Sequence, residues 1–186
     1  MYRISWTNVI KTCTGKLRTY SQFKNTFSLE NYVTQLPLHI RRNLTKIRIS
    51  THNLAVETGR YNNNMSSSVP NSDNKRLCHH CKTTESEFHF IFECQLYNSV
   101  RNEFIKLLND VTTIQFEANE PTFCTIMSCL YGDFEVSKIL CDFINKCFEI
   151  RRDSIEQAKE TIILIRPENT KTRSGRVSKR PTRIDL

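Results

Sequence analysis

The chain has 186 residues, of which 38% are hydrophobic, and its formal net charge is +8. This length suits one domain with a modest core. No apolar run approaches the roughly 20 residues that a helix needs to cross a bilayer, so we expect no membrane partner. The first ten residues lack the pattern of a secretory signal. We therefore expect a nuclear or cytoplasmic protein that is not secreted, with reduced cysteines.

The charge is distributed unevenly along the chain. Residues 1–60 carry +8, residues 61–165 carry −5 and residues 166–186 carry +5. Basic segments at both ends favour attraction to a polyanion, and a solvated basic surface is the alternative interpretation. Residues 1–29 hold five Lys or Arg and no acid. That composition is also typical of a mitochondrial transit peptide, which we keep as an alternative.

Residues 1–60 predict a basic helical segment. Residues 4–27 mix apolar and basic side chains and predict mainly helix, broken near Gly15. Ser28 suits the N-cap of a short helix over residues 29–35, which ends before Pro37. Residues 52–61 contain Gly59, which could end a helix with a positive φ.

The clearest amphipathic helix near the N-terminus has Ile40, Leu44 and Ile47 on one apolar face. We expect this face to pack inward and the basic side to contact the RNA or DNA backbone non-specifically, because Lys and Arg neutralise phosphates. A solvated polar face is the alternative. The predicted contacts on this helix are Arg41, Arg42, Lys46 and Arg48.

Residues 61–75 predict a flexible loop, because they are rich in Asn and Ser and show no periodicity. The pattern C-x2-C-x7-H-x4-C follows, and its soft sulfur and imidazole donors suit tetrahedral zinc. With four protein ligands the ion has no open position, so a structural role is expected. Ordinary buried thiols beside a chance histidine are the alternative. The four predicted ligands are Cys78, Cys81, His89 and Cys94.

Two local features of this knuckle follow from its spacing. On an ideal helix, with roughly 100° per residue, His89 and Cys94 point about 140° apart. The helix must therefore end or bend near Cys94 if both side chains are to reach one ion. His79 and His80 lie too close to both flanking cysteines for easy tetrahedral geometry, so we expect them to face solvent or to support the ligands.

Apolar spacing predicts three more helices, over residues 97–109, 120–132 and 134–157. Residues 76–165 are therefore interpreted as a zinc knuckle and helical body that form one domain with residues 1–60. The fold class is mainly α, a small helical domain around a structural CCHC zinc knuckle. The remaining cysteines of this body fit its apolar stripes as small hydrophobic residues: Cys124, Cys129, Cys141 and Cys147.

Residues 166–186 predict a disordered basic tail, because they contain too few apolar residues to offset the entropy of ordering. In this tail Lys179, Arg180 and Arg183 are predicted nucleic-acid contacts or part of a nuclear import signal. A solubilising tail is the alternative interpretation.

Three segments in this order resemble the C-terminal region of LINE-like non-LTR retrotransposon reverse transcriptases. They are KLRTYSQFK at residues 16–24, LTKIRISTHNLAVETGRY at residues 44–61 and RLCHHCKTTESEFHFIFECQLYNSVR at residues 76–101. The resemblance covers roughly residues 6–108. It implies a zinc knuckle that follows a polymerase and is associated with nucleic-acid binding in target-primed reverse transcription. It also implies that Cys78, Cys81, His89 and Cys94 are the zinc ligands.

The chain departs from that family where catalysis is concerned. A reverse transcriptase holds its metal ions with aspartates, usually an adjacent pair, whereas this chain has no Asp-Asp pair and no aspartate before Asp73. We therefore expect a non-catalytic fragment that binds RNA or DNA, with a polymerase domain missing from this chain as a further candidate partner. The alternative is a protein-interaction or decayed remnant, which predicts an exposed apolar patch near the N-terminal helices.

Overall fold

The structure is a computed structural model of the chain. It describes residues 2–12, 17, 19–24, 26–61, 73–113, 116–128 and 133–165. These residues are mainly helical, as the sequence predicted, and the only β-type pairing among them is an isolated bridge between Leu77 and Thr84. Several predicted features lie outside the described residues: Gly15, most of the loop at 61–75, Cys129, the end of the helix predicted over residues 120–132, and the tail at 166–186 with Lys179, Arg180 and Arg183.

Eight α-helices are present in the described part of the chain. Three short helical turns lie between the fifth and sixth of them: a 3-10 turn at Asp73–Arg76, a π-helical turn at His89–Glu93 and a 3-10 turn at Gln95–Tyr97. The α-helices are α1 (Tyr2–Thr12), α2 (Tyr20–Phe23), α3 (Asn31–Gln35), α4 (Leu38–Arg48), α5 (Ala55–Tyr61), α6 (Asn98–Val111), α7 (Glu120–Ser128) and α8 (Phe134–Ile165).

By their internal contacts the residues fall into two units, 1–150 and 151–186. The structure describes only residues 151–165 of the second unit, and these form the last part of α8. Within the ranges described, no helix combines the length and the apolar character that crossing a membrane requires.

The core of the first unit is organised around aromatic side chains from the knuckle region. Phe90 packs at a ring-centroid distance of 4.9 Å on Tyr97 and 4.8 Å on Phe148. Phe92 stacks at 4.7 Å on Phe116. Such ring pairs add to the free energy gained from burying apolar area. Apolar residues of α4, α6, α7 and α8 complete the core, among them Leu44, Ile47, Leu108, Met127, Leu140 and Ile144.

The predicted N-cap at Ser28 is wrong. Helix α3 begins at Asn31, and Glu30 holds the cap position without a side-chain capping hydrogen bond. The Glu30 carboxylate instead pairs with the ammonium of the buried Lys24 at 2.9 Å. Lys24 also donates to the Ser28 carbonyl at 2.9 Å. The Glu30 side chain therefore forms an ion pair at the start of α3 and does not cap the helix.

Gly59 does not end α5 with a positive φ, as the sequence suggested. It lies inside this helix and is buried. A Cβ at this position would lie 2.8 Å from the Lys75 carbonyl oxygen and 2.8 Å from Arg76 Cγ. The glycine is therefore required because the 3-10 turn at Asp73–Arg76 packs directly against α5.

This close approach predicts that Gly59→Ala changes the free energy of unfolding in the direction opposite to that of an ordinary Gly→Ala substitution in a helix. Gly→Ala inside a helix normally stabilises by roughly 1 kcal/mol. We expect Gly59→Ala to lower the free energy of unfolding instead, by about 1–3 kcal/mol, because the added methyl overpacks the contact with Lys75. Urea unfolding measures the difference. The exposed neighbour Thr58→Ala is the control and should change stability by less than about 0.5 kcal/mol. A stabilised Gly59→Ala variant would contradict the packing.

Candidate metal centre

The four predicted ligand side chains lie together. The ligand atoms of Cys78, Cys81, His89 and Cys94 are all within 4.8 Å of one another. The Cys94 sulfur is 3.8 Å from the Cys78 sulfur and 3.6 Å from the Cys81 sulfur. A disulfide requires about 2.05 Å. A tetrahedral ion with metal–sulfur bonds of about 2.3 Å has sulfur–sulfur edges of about 3.8 Å. These thiols thus have the spacing of metal ligands.

The first two ligands lie on a tight turn of the backbone. Cys78 N–H donates to the Thr83 carbonyl at 2.7 Å, and Lys82 N–H donates to the Cys78 carbonyl at 3.0 Å. Lys82 closes the turn with a φ of 60°, in the left-handed region. The main-chain N–H groups of Cys81 and His80 donate to the Cys78 sulfur. The turn therefore brings both cysteines to one side and supports a thiolate there.

The other two ligands lie at the ends of the π-helical turn. Cys94 N–H donates to the His89 carbonyl at 2.8 Å, five residues back instead of four. This wider turn reduces the angular offset that an α-helix imposes on these residues. The helix then stops, because Cys94 has extended backbone angles, φ −60° and ψ 121°. The predicted break near Cys94 is confirmed.

The two ring nitrogens of His89 have different surroundings. Nδ1 lies 3.3 Å from the Glu93 carboxylate and 3.3 Å from the Thr83 hydroxyl. Nε2 is buried, and within the described residues no group meets hydrogen-bond geometry with it. A carboxylate on one nitrogen is the usual arrangement for a histidine that ligates a metal through the other. A metal ion would satisfy this buried nitrogen.

The thiols next to His89 share their protons unequally. Donation from the Cys94 thiol lowers the pKa of Cys78 to about 3, and the same hydrogen bond raises the pKa of Cys94. Interaction with Cys78 also raises the pKa of His89. The Cys94 thiol is thus the donor and the Cys78 sulfur the acceptor of this hydrogen bond, and a divalent ion would displace the proton on binding.

A second grouping of Cys78, His79 and Glu85 also satisfies the 4.8 Å limit. It shares Cys78 with the first set and offers one ligand fewer. The Glu85 carboxylate already accepts a hydrogen bond from the Ala55 N–H at 2.5 Å, at the start of α5. The set of three cysteines and His89 is therefore the better candidate for holding an ion.

Sequence reasoning missed two buried glutamates between Cys81 and His89. Glu85 holds the first residue of α5, as described above. Glu87 accepts hydrogen bonds from His52 Nε2 at 2.9 Å and from the Ser50 hydroxyl at 3.2 Å. Acidic residues next to a knuckle normally predict solvated side chains, so no local pattern identified this role. Together the two carboxylates fix residues 50–57 against the knuckle.

The sequence did not identify the role of Arg101, because a single arginine in a predicted helix looks like a surface residue. It lies in the first turn of α6 and is 6% exposed. Its guanidinium donates to the Ile91 carbonyl at 2.8 Å, the Cys94 carbonyl at 2.8 Å and the Asn98 side chain at 2.6 Å. Burial lowers the pKa of Arg101, whereas the neighbouring thiols of Cys147, Cys94 and Cys81 act to raise it.

The predicted phosphate-contacting set on α4 is only partly at the surface. Arg42 is exposed, while Arg41 and Lys46 are half-buried. Arg41 Nε donates to the Leu36 carbonyl at 3.0 Å. Around the knuckle, three further basic residues are exposed: Lys75, Arg76 and Lys82.

The prediction that Arg48 contacts nucleic acid is wrong, because this side chain is 1% exposed. Its guanidinium pairs with Glu30 at 2.8 Å and donates to the Met127 carbonyl in α7. The guanidinium carbon lies 4.7 Å from the centre of the Phe23 ring and 5.3 Å from that of Tyr32. The ion pair, the hydrogen bond and the ring contacts together offset the loss of hydration of the guanidinium. The side chain is therefore buried.

Comparison with models of protein families, with curated proteins and with solved structures finds no match to this chain. The resemblance to the C-terminal region of retrotransposon reverse transcriptases therefore stays a prediction.

The contrast between two arginines of α4 is testable. We expect Arg48→Ala to lower the free energy of unfolding by about 3–5 kcal/mol, because it leaves the partly buried Glu30 and the Met127 carbonyl without this partner. The exposed Arg42→Ala is the control, with an expected change within about 0.5 kcal/mol. Denaturant unfolding of both variants gives the comparison. Equal, small effects would contradict the buried position of Arg48.

Proposed function

We propose that this chain is a non-catalytic module that is stabilised by one structural zinc ion and binds RNA or DNA non-specifically through exposed basic side chains. The observation that carries the proposal is the arrangement of Cys78, Cys81, His89 and Cys94. Their ligand atoms lie within 4.8 Å of one another, and the buried Nε2 of His89 meets hydrogen-bond geometry with no group among the described residues.

The choice of zinc rests on the chemistry of the donors. Three thiolates and one imidazole are soft to borderline ligands that suit zinc, whereas calcium and magnesium require oxygen ligands. Four protein ligands complete a tetrahedron and leave no position for a water molecule. An ion in this site would therefore stabilise the fold and would not activate water for hydrolysis.

The proposed nucleic-acid contacts are the basic residues that remain at the surface. Arg42 is exposed, Arg41 and Lys46 are half-buried, and Lys75, Arg76 and Lys82 surround the knuckle. Non-specific affinity comes mainly from such groups, because each phosphate they neutralise releases condensed counterions. In this proposal the basic tail, with Lys179, Arg180 and Arg183, adds contacts of the same kind.

A second candidate function is docking on another protein, such as a polymerase domain missing from this chain. It is favoured by large apolar side chains near the N-terminal helices that are more than half exposed: Val9, Phe27, Leu29 and Leu38. The Phe27 ring lies 5.5 Å from that of Trp6, which places α1 next to this region. Exposed apolar side chains mark protein interaction surfaces where they form one contiguous patch, which is what this second candidate requires of the region.

The zinc proposal predicts a defined metal content. Native mass spectrometry of protein expressed with added zinc should find one Zn²⁺ per chain, and a chelator should lower the thermal midpoint and expose the amides near Cys94 to hydrogen exchange. The reason is that the binding free energy of a structural zinc is also folding free energy. Cys81→Ser should lose the metal, whereas Cys124→Ser, whose thiol lies outside the cluster, should keep it. Metal-free wild-type protein would count decisively against the site.

The nucleic-acid proposal predicts salt-dependent binding. With labelled single- and double-stranded RNA and DNA, the logarithm of the affinity should fall linearly with that of the salt concentration. Replacing Arg41, Arg42 and Lys46 by Ala should reduce this slope by about 1 for each phosphate that the variant no longer neutralises. The control replaces exposed lysines elsewhere, Lys106, Lys138 and Lys146, and removes the same charge.

The outcomes separate the two candidate functions. Equal losses in the two triple variants would show that net charge alone matters and would contradict the assigned surface. Absence of binding at low salt would remove the nucleic-acid proposal and favour docking on a protein. Removal of residues 166–186 tests the tail in the same assay.

A further inference from the structure

Arg101 occupies a position where the backbone of the metal centre needs hydrogen-bond donors. The π-helical turn ends at Glu93, and the carbonyl of Cys94, which follows it, accepts a long main-chain hydrogen bond of 3.3 Å from the Tyr97 N–H. Arg101 supplies donors to two carbonyls of this region, at 2.8 Å from Ile91 and 2.8 Å from Cys94. The second of these belongs to a ligand, so the guanidinium fixes the backbone of Cys94.

The charge of Arg101 needs a partner that hydrogen bonds to neutral carbonyls do not provide. Burying a cation costs several kcal/mol unless an opposite charge lies close to it. Among the described residues, no carboxylate lies within 4.0 Å of the Arg101 guanidinium to form a salt bridge. The guanidinium lies 2.8 Å from the Cys94 carbonyl oxygen, and the Cys94 sulfur lies within 3.8 Å of the sulfurs of Cys78 and Cys81.

The nearby groups that would carry negative charge are therefore the thiols of the candidate metal centre. Three thiolates around a divalent ion leave a net charge of −1, since the imidazole is neutral when it binds a metal. A site with two cysteines and two histidines would be neutral. The buried guanidinium therefore has the charge that complements the ligand set of this chain, whereas the exposed Lys75, Arg76 and Lys82 are available to solvent.

We propose that Arg101 is a positioning residue of the metal centre, which holds the backbone of Cys94 and neutralises the negative charge of a three-cysteine, one-histidine site. This inference rests on the metal site proposed above. It explains why an arginine is buried next to the knuckle without a carboxylate. It also predicts that ligand charge and Arg101 are energetically coupled, which an arginine that only supports the backbone would not show.

The test uses the full chain and Co²⁺ as the probe, because the visible absorption of Co²⁺ reports tetrahedral thiolate ligation directly. Dissociation constants are measured for the wild type, Arg101→Gln, Arg101→Met and Arg101→Lys, with competition by Zn²⁺. We expect Arg101→Gln and Arg101→Met to weaken Co²⁺ binding by about 10- to 100-fold, the usual range for groups that support metal ligands. Arg101→Lys keeps the charge and should weaken binding less. The control Lys106→Met removes an exposed charge from the same helix and should stay within about twofold of the wild type.

A double-mutant cycle separates charge compensation from support of the backbone. Cys81→His changes the ligand set to two cysteines and two histidines and makes the loaded site neutral. The penalty of Arg101→Gln should then fall to less than about threefold, because no net charge remains to be neutralised. An unchanged penalty would show that Arg101 acts on the backbone alone and would overturn the charge assignment.

The remaining outcomes are equally distinct. Wild-type affinity in Arg101→Gln and Arg101→Met overturns the inference while leaving the metal site intact. If Arg101→Met does not fold, the dissociation constants of Arg101→Gln and Arg101→Lys are compared with that of the wild type. If Arg101→Lys also fails to fold although it keeps the charge, the charge assignment is contradicted. Absence of Co²⁺ binding by the wild type instead removes the proposed metal site itself.

Discussion

The structure depends on one geometric constraint: His89 and Cys94 are five residues apart and must face the same point. An ordinary α-helix separates them by about 140°. The hydrogen bond from the Cys94 N–H to the His89 carbonyl, 2.8 Å long, winds this segment as a π-helical turn, and the helix stops at Cys94. The wider turn brings the two ligands to the cysteine pair. The buried Arg101 donates to the carbonyls of Ile91 and Cys94 in the same segment.

The same short segment forms both the candidate metal centre and the middle of the core. His89 and Cys94 face the cysteine pair, while Phe90, Ile91 and Phe92 between them are buried among apolar side chains of the helical body. Because protein interiors are packed as densely as crystals, a ligand cannot move without disturbing these rings. Order at the metal centre and order in the core are therefore parts of one cooperative structure, which is the expected arrangement for a structural ion.

Positive charge has two separate uses in this protein. Arg48 and Lys24 share Glu30, at 2.8 Å and 2.9 Å, and connect α2, α3 and α4 from within. Arg101 connects α6 to the segment that contains Cys94 by donating to the carbonyls of Ile91 and Cys94. Because Lys24 and Arg48 are buried, the net charge of the N-terminal segment overstates the charge that it presents at the surface. The same region also exposes large apolar side chains, which is the feature that the second candidate function uses: Val9, Phe27, Leu29 and Leu38.

The amino-acid sequence by itself determined the helical class, the amphipathic helix α4, the approximate bounds of α6, the starts of α7 and α8, and the candidate ligand set, because helical periodicity and C-x2-C spacing are local properties. It also required a break near Cys94. Tertiary structure decided what local patterns do not contain. Gly59 is needed because a Cβ at this position would lie 2.8 Å from a neighbouring turn, not because the helix ends there. Glu87, Arg48 and Arg101 look like surface charges in the sequence, yet each is buried because its partners come from other segments. A buried charge is stable only beside such partners, and only the folded chain brings them together.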